Sequence, residues 1–388
     1  MMRRGIAVVA PLAALLGLAL SCAAQNAPGM RVVDMTAADG TALKATFFAA
    51  AKPGPGVIML HQCNRQRKVW DELGGSLSAS GINVLTLDFR GFGDSGGTPF
   101  DKLTPQEAGR DMQVIWPGDV DLALKYLESQ PGVSHDFIGA GGASCGVDQA
   151  VKLAARHAEV KSLVLLSEGT DRAGREFLRK SPKLPLFMAA ADDDPDLGVV
   201  EIMQWLGDLS PDTSNKLVHY TTGGHGVEMF AAHKELPGMI VDWFRATLKD
   251  APSAPATRAA GSMSAESRFL ELLDQPDGLS KAPAMYAQDH RRDPKSVLFS
   301  EIVLNRIGYE HLVTGDKQGA IEIFELNVTA YPNSPNVYDS LGDAYLADGQ
   351  KDLARENAKK TLELLATDTV DSQARRDGIK ANAESKLK

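Results

Sequence analysis

The sequence predicts a chain in two parts: an α/β body with a mostly parallel central sheet and helices on both faces, then an all-helical region. Three observations predict it. Apolar strand runs alternate with helical patterns from about residue 30 to 249. A Gly-x-Ser-x-Gly turn joins one of those strands to the helix after it, and a set of residues recurs 34 positions apart near the C-terminus.

The elements follow in chain order. Residues 31–35 and 42–48, separated by Ala38-Asp39-Gly40, read as an opening hairpin. Strand runs follow at 56–61, 82–87, 137–141, 162–166, 184–190 and 216–220. Their near-continuous Val, Ile and Leu suits strands buried on both faces. Helical spacing of apolar residues appears at 68–80, 120–129, 147–157, 199–206 and 239–248. Residues 91–104 read as a surface loop, and 171–182 leave room for one short helix. No insertion is large enough for a lid, so an open cleft is expected, formed partly by residues 61–70 and 168–180.

Length and composition bound the rest. A chain of 388 residues suggests two or more domains, and 44% apolar with 23% charged residues is ordinary for a globular protein. The net charge of −9 and the lack of a basic stripe argue against a nucleic-acid partner. Arg3 and Arg4, an apolar run over 5–20 and small residues over 21–24 have the layout of a secretory signal over residues 1–24. The run is short for a membrane span, which needs about 20 residues. Ala19-Leu20-Ser21-Cys22 resembles a bacterial lipoprotein box in which Cys22 would be lipidated, although Ala19 stands where leucine is usual. Cleavage after Ala24 fits nearly as well, so a periplasmic, secreted or lipid-anchored product is expected. Cys63 and Cys145 remain in the mature chain, either as a disulfide or as buried thiols.

The chemistry centres on Gly142-Ala143-Ser144-Cys145-Gly146. A serine on a sharp strand-to-helix turn has its hydroxyl lifted clear of the sheet, and small neighbours allow the backbone to make that turn. The hydroxyl needs a base to take its proton, and the base needs a third group to orient it. Asp192, Asp193 and Asp194 follow one strand, and Gly224-His225-Gly226 follows the last. Their order along the chain is Ser, Asp, His.

With His61 ending a strand, the turn from Asp88 to Gly96, the elbow, Asp194 and His225, residues 28–249 resemble an α/β-hydrolase of the dienelactone-hydrolase-like kind, without a cap domain. The resemblance implies Ser144 as nucleophile, His225 as general base and Asp194 as the orienting acid, with Asp193 the second choice. Dienelactone hydrolases proper use a cysteine, but Cys145 has Val147 two places on, whereas Ser144 is flanked by Gly142 and Gly146. The oxyanion donors implied are the N–H groups of Cys145 and Cys63, with Gln62 in place of the usual glycine. Two such donors converging on one oxygen bring their backbones within the Cα separation of about 4.4–6.8 Å that a disulfide needs, so a Cys63–Cys145 bond is implied. The run Cys63-Asn64-Arg65-Gln66-Arg67-Lys68 reads as a site for an anionic group or as a solvated loop. No zinc, phosphate-loop or dinucleotide motif appears, and no metal or cofactor is expected.

Residues 250–264, rich in Ala, Pro and Ser, read as a linker. Over 265–388, Gly308, Gly315 and Ala320 in one unit match Gly342, Gly349 and Ala354 in the next, an offset of 34 residues. This resembles tetratricopeptide repeats, paired helices whose small residues let them cross closely. The second copy has Ala358 and Ala366 where the first has Phe324 and Pro332, which suits a terminal cap. The expectation is an exported serine hydrolase acting on a small-molecule ester or thioester. The alternative is a scaffold protein that binds a partner, or itself, through the repeats.

Overall fold

The computed structural model describes residues 29–212, 214–249 and 263–388. The predicted signal, Cys22 and most of the linker lie outside them. Eight strands form one sheet: β1 (Met30–Thr36), β2 (Ala42–Phe48), β3 (Gly54–Leu60), β4 (Asn83–Leu87), β5 (Val133–Ala143), β6 (Val160–Leu166), β7 (Leu186–Ala191) and β8 (Lys216–Tyr220). The order across the sheet is β1-β2-β4-β3-β5-β6-β7-β8. The β1–β2 and β2–β4 pairs are antiparallel and the others parallel.

Successive side chains of a strand point to opposite faces, and β3 shows why its run is continuously apolar. Ile58 and Leu60 enter the core that holds Trp116 and Leu124, while Val57 and Met59 enter the core that holds Trp70 and Phe244. All four are fully buried. The helices Trp116–Glu128, Cys145–Arg156 and Val199–Leu209 cover the first face, and Asp71–Ala79 and Leu236–Phe244 the second. Strand β5 begins earlier than its apolar run, so His135 lies within a strand.

Among the described residues the C-terminal region contains seven α-helices and no strand. The helices Glu301–Val313 and Lys317–Ala330 are followed 34 residues later by Pro335–Ala347 and Lys351–Leu365. Gly308 permits the first crossing, since a Cβ there would lie 2.4 Å from the Phe324 ring. The final helix, Gln373–Lys386, closes the stack: Asn382 reaches Asp339 and Asp343 at 2.8 and 3.0 Å, and Lys386 sits fully buried against Asp339 at 2.6 Å.

The helical region shares the core of the sheet. Phe269, Leu270, Leu298, Phe299, Val303 and Leu304 belong to the same apolar cluster as Val199, Met203 and Leu206. Polar contacts ring this seam. Arg175 is buried over the Trp205 ring and binds both oxygens of Asp274 at 2.7 and 2.9 Å, and Arg179 binds Glu271 at 2.6 and 2.8 Å. The side of the cleft formed by residues 168–180 is therefore walled by helices rather than open. Breaking a buried ion pair on one side leaves a charge uncompensated. Asp274→Ala should lower stability by about 3 kcal/mol in urea denaturation, against about 0.5 kcal/mol or less for the exposed control Asp352→Ala.

Candidate active site

Ser144 follows β5 and precedes the helix Cys145–Arg156, at φ 50° and ψ −127°. A non-glycine residue there carries backbone strain of order 1–3 kcal/mol, which the surroundings must impose. They do so through close contacts. A Cβ on Gly142 would lie 2.1 Å from the Gly146 carbonyl oxygen, and one on Gly146 would lie 2.4 Å from the Leu60 carbonyl oxygen. The Ser144 N–H donates to the Leu166 carbonyl at 2.9 Å, tying the turn to β6. These contacts fix Ser144, not Cys145, as the residue at the apex.

The three consecutive aspartates part company at the end of β7. Asp192 is half exposed and pairs with His219 at 2.6 Å. Asp193 accepts the Gly223 and Gly224 N–H groups at 2.8 and 2.9 Å, so it shapes the loop that carries His225. Asp194 is 3% exposed, and its two oxygens accept from His225 Nδ1 at 2.9 and 3.0 Å. Asp192 and Asp193 are thus exposed but partnered, and only Asp194 is buried against His225.

His225 is buried. Burial opposes its charged form, but the hydrogen bond and charge of Asp194 outweigh it, helped by the nearby Asp196 and Glu168. Its pKa is raised above the ordinary histidine value. The second nitrogen, Nε2, lies 3.6 Å from Asp196 Oδ2. Among the described residues no hydrogen bond joins His225 to the Ser144 hydroxyl. Contacts of this kind are often long before a substrate binds. Ligand atoms of Asp194, Asp196 and His225 lie within 4.8 Å of one another; Asp194 holds the group together, accepting from His225 Nδ1 and, at 2.8 Å, from the Asp196 N–H.

A disulfide joins Cys63 and Cys145, whose Cα atoms are 5.8 Å apart. It links the loop after β3 to the first residue of the helix after Ser144. Cys145 N–H is one of the helix's unsatisfied first-turn donors, and among the described residues neither it nor the Cys63 N–H meets an acceptor. Gln62, where glycine is usual, is fully buried and useful. Its Oε1 accepts the Val227 N–H at 2.9 Å and its Nε2 donates to Asn64 at 2.8 Å, joining the Cys63 loop to the His225 loop. Gly226 is required beneath it, since a Cβ there would lie 2.4 Å from Gln62 Oε1.

His61 is a buried strut. Its Nδ1 faces the Gln62 carbonyl at 2.8 Å, and its Nε2 accepts the Phe89 N–H at 3.1 Å, which makes it a neutral imidazole with the proton on Nδ1. Burial pushes its pKa down to about 4. The basic run that follows is neither solvated nor free for an anion throughout. Arg67 is 2% exposed and paired with Asp88 and Asp94, and Arg65 reaches Glu228 at 2.7 Å. The turn after β4 is structural too, with Arg90 gripping Asp119 through two 2.8 Å bonds.

Two cavities flank the centre. One, of about 620 Å³, lies beside Cys63 with Arg65, Lys68, Phe92 and Phe100 in its wall. The other, of about 330 Å³, lies between the sheet body and the helical region. Sequence reasoning passed over Asp196, Glu168 and Arg306 beside the second cavity. Asp196 lay within view, two places beyond the aspartate run. Arg306 gave no local signal, since only the fold brings it to residue 168.

No family model matches the chain. A thiohydrolase, aneE, from Aspergillus aculeatus is 23% identical over 225 residues, covering 55% of this chain and 63% of the relative. The chain spans less than two thirds of the length of the curated relatives it matches. Among solved structures, the α/β hydrolase GrgF from Penicillium sp. sh18 is 16% identical with a TM-score of 0.46, covering 56% of this chain and 99% of that one. Dienelactone hydrolase from Anabaena variabilis is 19% identical with a TM-score of 0.43, covering 57% of this chain and 98% of that one. The chain's own strand order, its serine elbow after β5 and the acid and histidine after β7 and β8 define its first part as an α/β-hydrolase fold, joined to an all-helical region.

Proposed function

We propose that the protein is a serine hydrolase that cleaves a carboxylic ester or thioester through an acyl-enzyme. Ser144 Oγ attacks the carbonyl carbon while His225 Nε2 takes its proton. The C–O or C–S bond to the leaving group then breaks as His225 returns that proton to it. Water, deprotonated by His225, releases the acid and restores Ser144. Asp194 holds the imidazole in the Nδ1–H form and stabilises the imidazolium. The N–H groups of Cys63 and Cys145 receive the oxyanion, and the disulfide keeps them in register. The observation that carries this reading is the buried Asp194–His225 pair on the same sheet rim as the strained Ser144.

Export fits the same picture. A disulfide persists in an oxidising compartment and is rare in reducing ones, so we place the mature protein outside the cytosol, soluble or anchored through Cys22. The repeat-like helices serve the hydrolase first. Their apolar surface is shared with the sheet body, which favours the enzyme over a scaffold with an incidental fold.

A fluorophosphonate probe should label the wild-type protein and leave Ser144→Ala unlabelled; equal labelling of both would remove Ser144 from its role. Asp194→Asn should lower kcat by about 10⁴-fold with the fold intact by circular dichroism. The acid limb of kcat/KM should lie above the ordinary histidine range, because His225 must be neutral to act as base and its pKa is raised. Asp196→Asn removes a charge that favours the imidazolium, so the limb should move to lower pH; a shift upward would contradict the assignment. Reduction of Cys63–Cys145, followed by thiol counting, should lower kcat by about 10- to 100-fold, less than outright loss of an oxyanion donor.

A further inference from the structure

The cavity between the two parts of the chain lies next to the His225 imidazole, with Asp196 between them. Asp196 stands in its wall with Oδ2 3.6 Å from His225 Nε2, the nitrogen that hands a proton to the departing group. Glu168, on the loop after β6, stands opposite. The rest of the charged lining comes from the helical region: Arg306 on the helix Glu301–Val313 and Arg375 on the helix Gln373–Lys386. Gly198, just beyond Asp196, packs so closely on Val303 that a Cβ there would lie 2.6 Å from it. The helical region is therefore a fixed wall of this cavity.

The lining chemistry is selective. Two carboxylates and two guanidiniums sum to no net charge, so neither an anion nor a cation is favoured, and Pro195, Leu197 and Ile302 supply an apolar part. A plain alkyl chain would match only the apolar part, and would strip water from the charged groups with no hydrogen bond in return. A hydroxyl both donates and accepts, and so matches both kinds of wall. The existing ion pairs, Arg306 with Glu168 and Arg375 with Asp371 at 3.0 Å and Glu301 at 3.9 Å, use only part of the five N–H donors of each guanidinium.

We infer that this seam cavity is the leaving-group subsite and that it takes a small, neutral, hydroxyl-bearing group such as the glycerol part of an ester. The inference rests on the hydrolase reading above. By microscopic reversibility, the site that releases such an alcohol also delivers it to the acyl-enzyme.

The test uses the full-length protein with p-nitrophenyl butyrate as acyl donor and equal concentrations of glycerol and 1-propanol as competing acceptors. The wild type should form glyceryl butyrate over propyl butyrate by about tenfold, the worth of one hydrogen bond to a charged group. Arg306→Met and Arg375→Met, on separate helices, should each bring the ratio towards one. A wild-type ratio near one overturns the subsite without recourse to any variant, as does a tenfold preference that survives both substitutions. Failure of the hydrolase reading is seen separately, as nitrophenol release that is absent or equal in wild type and Ser144→Ala, and it takes the subsite with it.

Discussion

The whole site depends on a contact with no room in it. Gly146 lies against the Leu60 carbonyl and Gly142 against the Gly146 carbonyl, each closer than any Cβ would permit. This lets the helix Cys145–Arg156 start directly over the end of β3. It holds Ser144 in a backbone conformation that an isolated peptide would leave. The strain is sustained by β3 and β6 on either side of β5, both fully buried at that level. The Cys63–Cys145 bond adds a covalent tie across the same junction, from the loop beyond β3 to the first residue of the helix.

Around that junction three loops must agree, and each is held by a different part of the chain. The Cys63 loop is held by the disulfide and by Arg67, which is buried against Asp88. The His225 loop is held by Asp193 beneath two of its glycines and by Gln62 against Val227. The acid loop, from Asp194 to Gly198, rests on Val303 of the helical region. Side chains that look like departures or redundancies in the sequence, Gln62 and the extra aspartates, turn out to be the fasteners between loops.

Local chemistry was legible in the sequence and long-range chemistry was not. Gly142 and Gly146 flanking Ser144 identify the elbow because the reason for them is steric and lies within five residues. The matched glycines at 308 and 342, and at 315 and 349, likewise report helix crossings set by neighbours in sequence; the helices they belong to start 34 residues apart. The cysteine pair, 82 residues apart, was reached only through the resemblance, which implies Cys63 and Cys145 as the two donors. The choice among Asp192, Asp193 and Asp194 was less secure, since a three-residue acidic run has no periodicity to separate its members. Only the positions of His219, Gly223 and His225 do that. The wall on the 168–180 side of the cleft was hidden for a similar reason. The open cleft was expected from the lack of a lid-sized insertion, and no local pattern showed that Phe269, Phe299 and Val303 complete the core beside Val199 and Met203.

That shared core changes what the helical region is for. Two repeat-like helix pairs and a closing helix are too few to present a broad groove. They are enough to cover one flank of a sheet and to deliver arginines to its rim. Arg175 and Arg179 reach from the sheet body into the helices to meet Asp274 and Glu271, while Arg306 reaches back to Glu168. The exchange runs in both directions across an apolar centre. Such a seam resists sliding, because any shift would leave charges such as Arg175 and Asp274 buried without partners. The helical region thus supplies one wall beside the candidate site, where the sheet body has no insertion between its later strands.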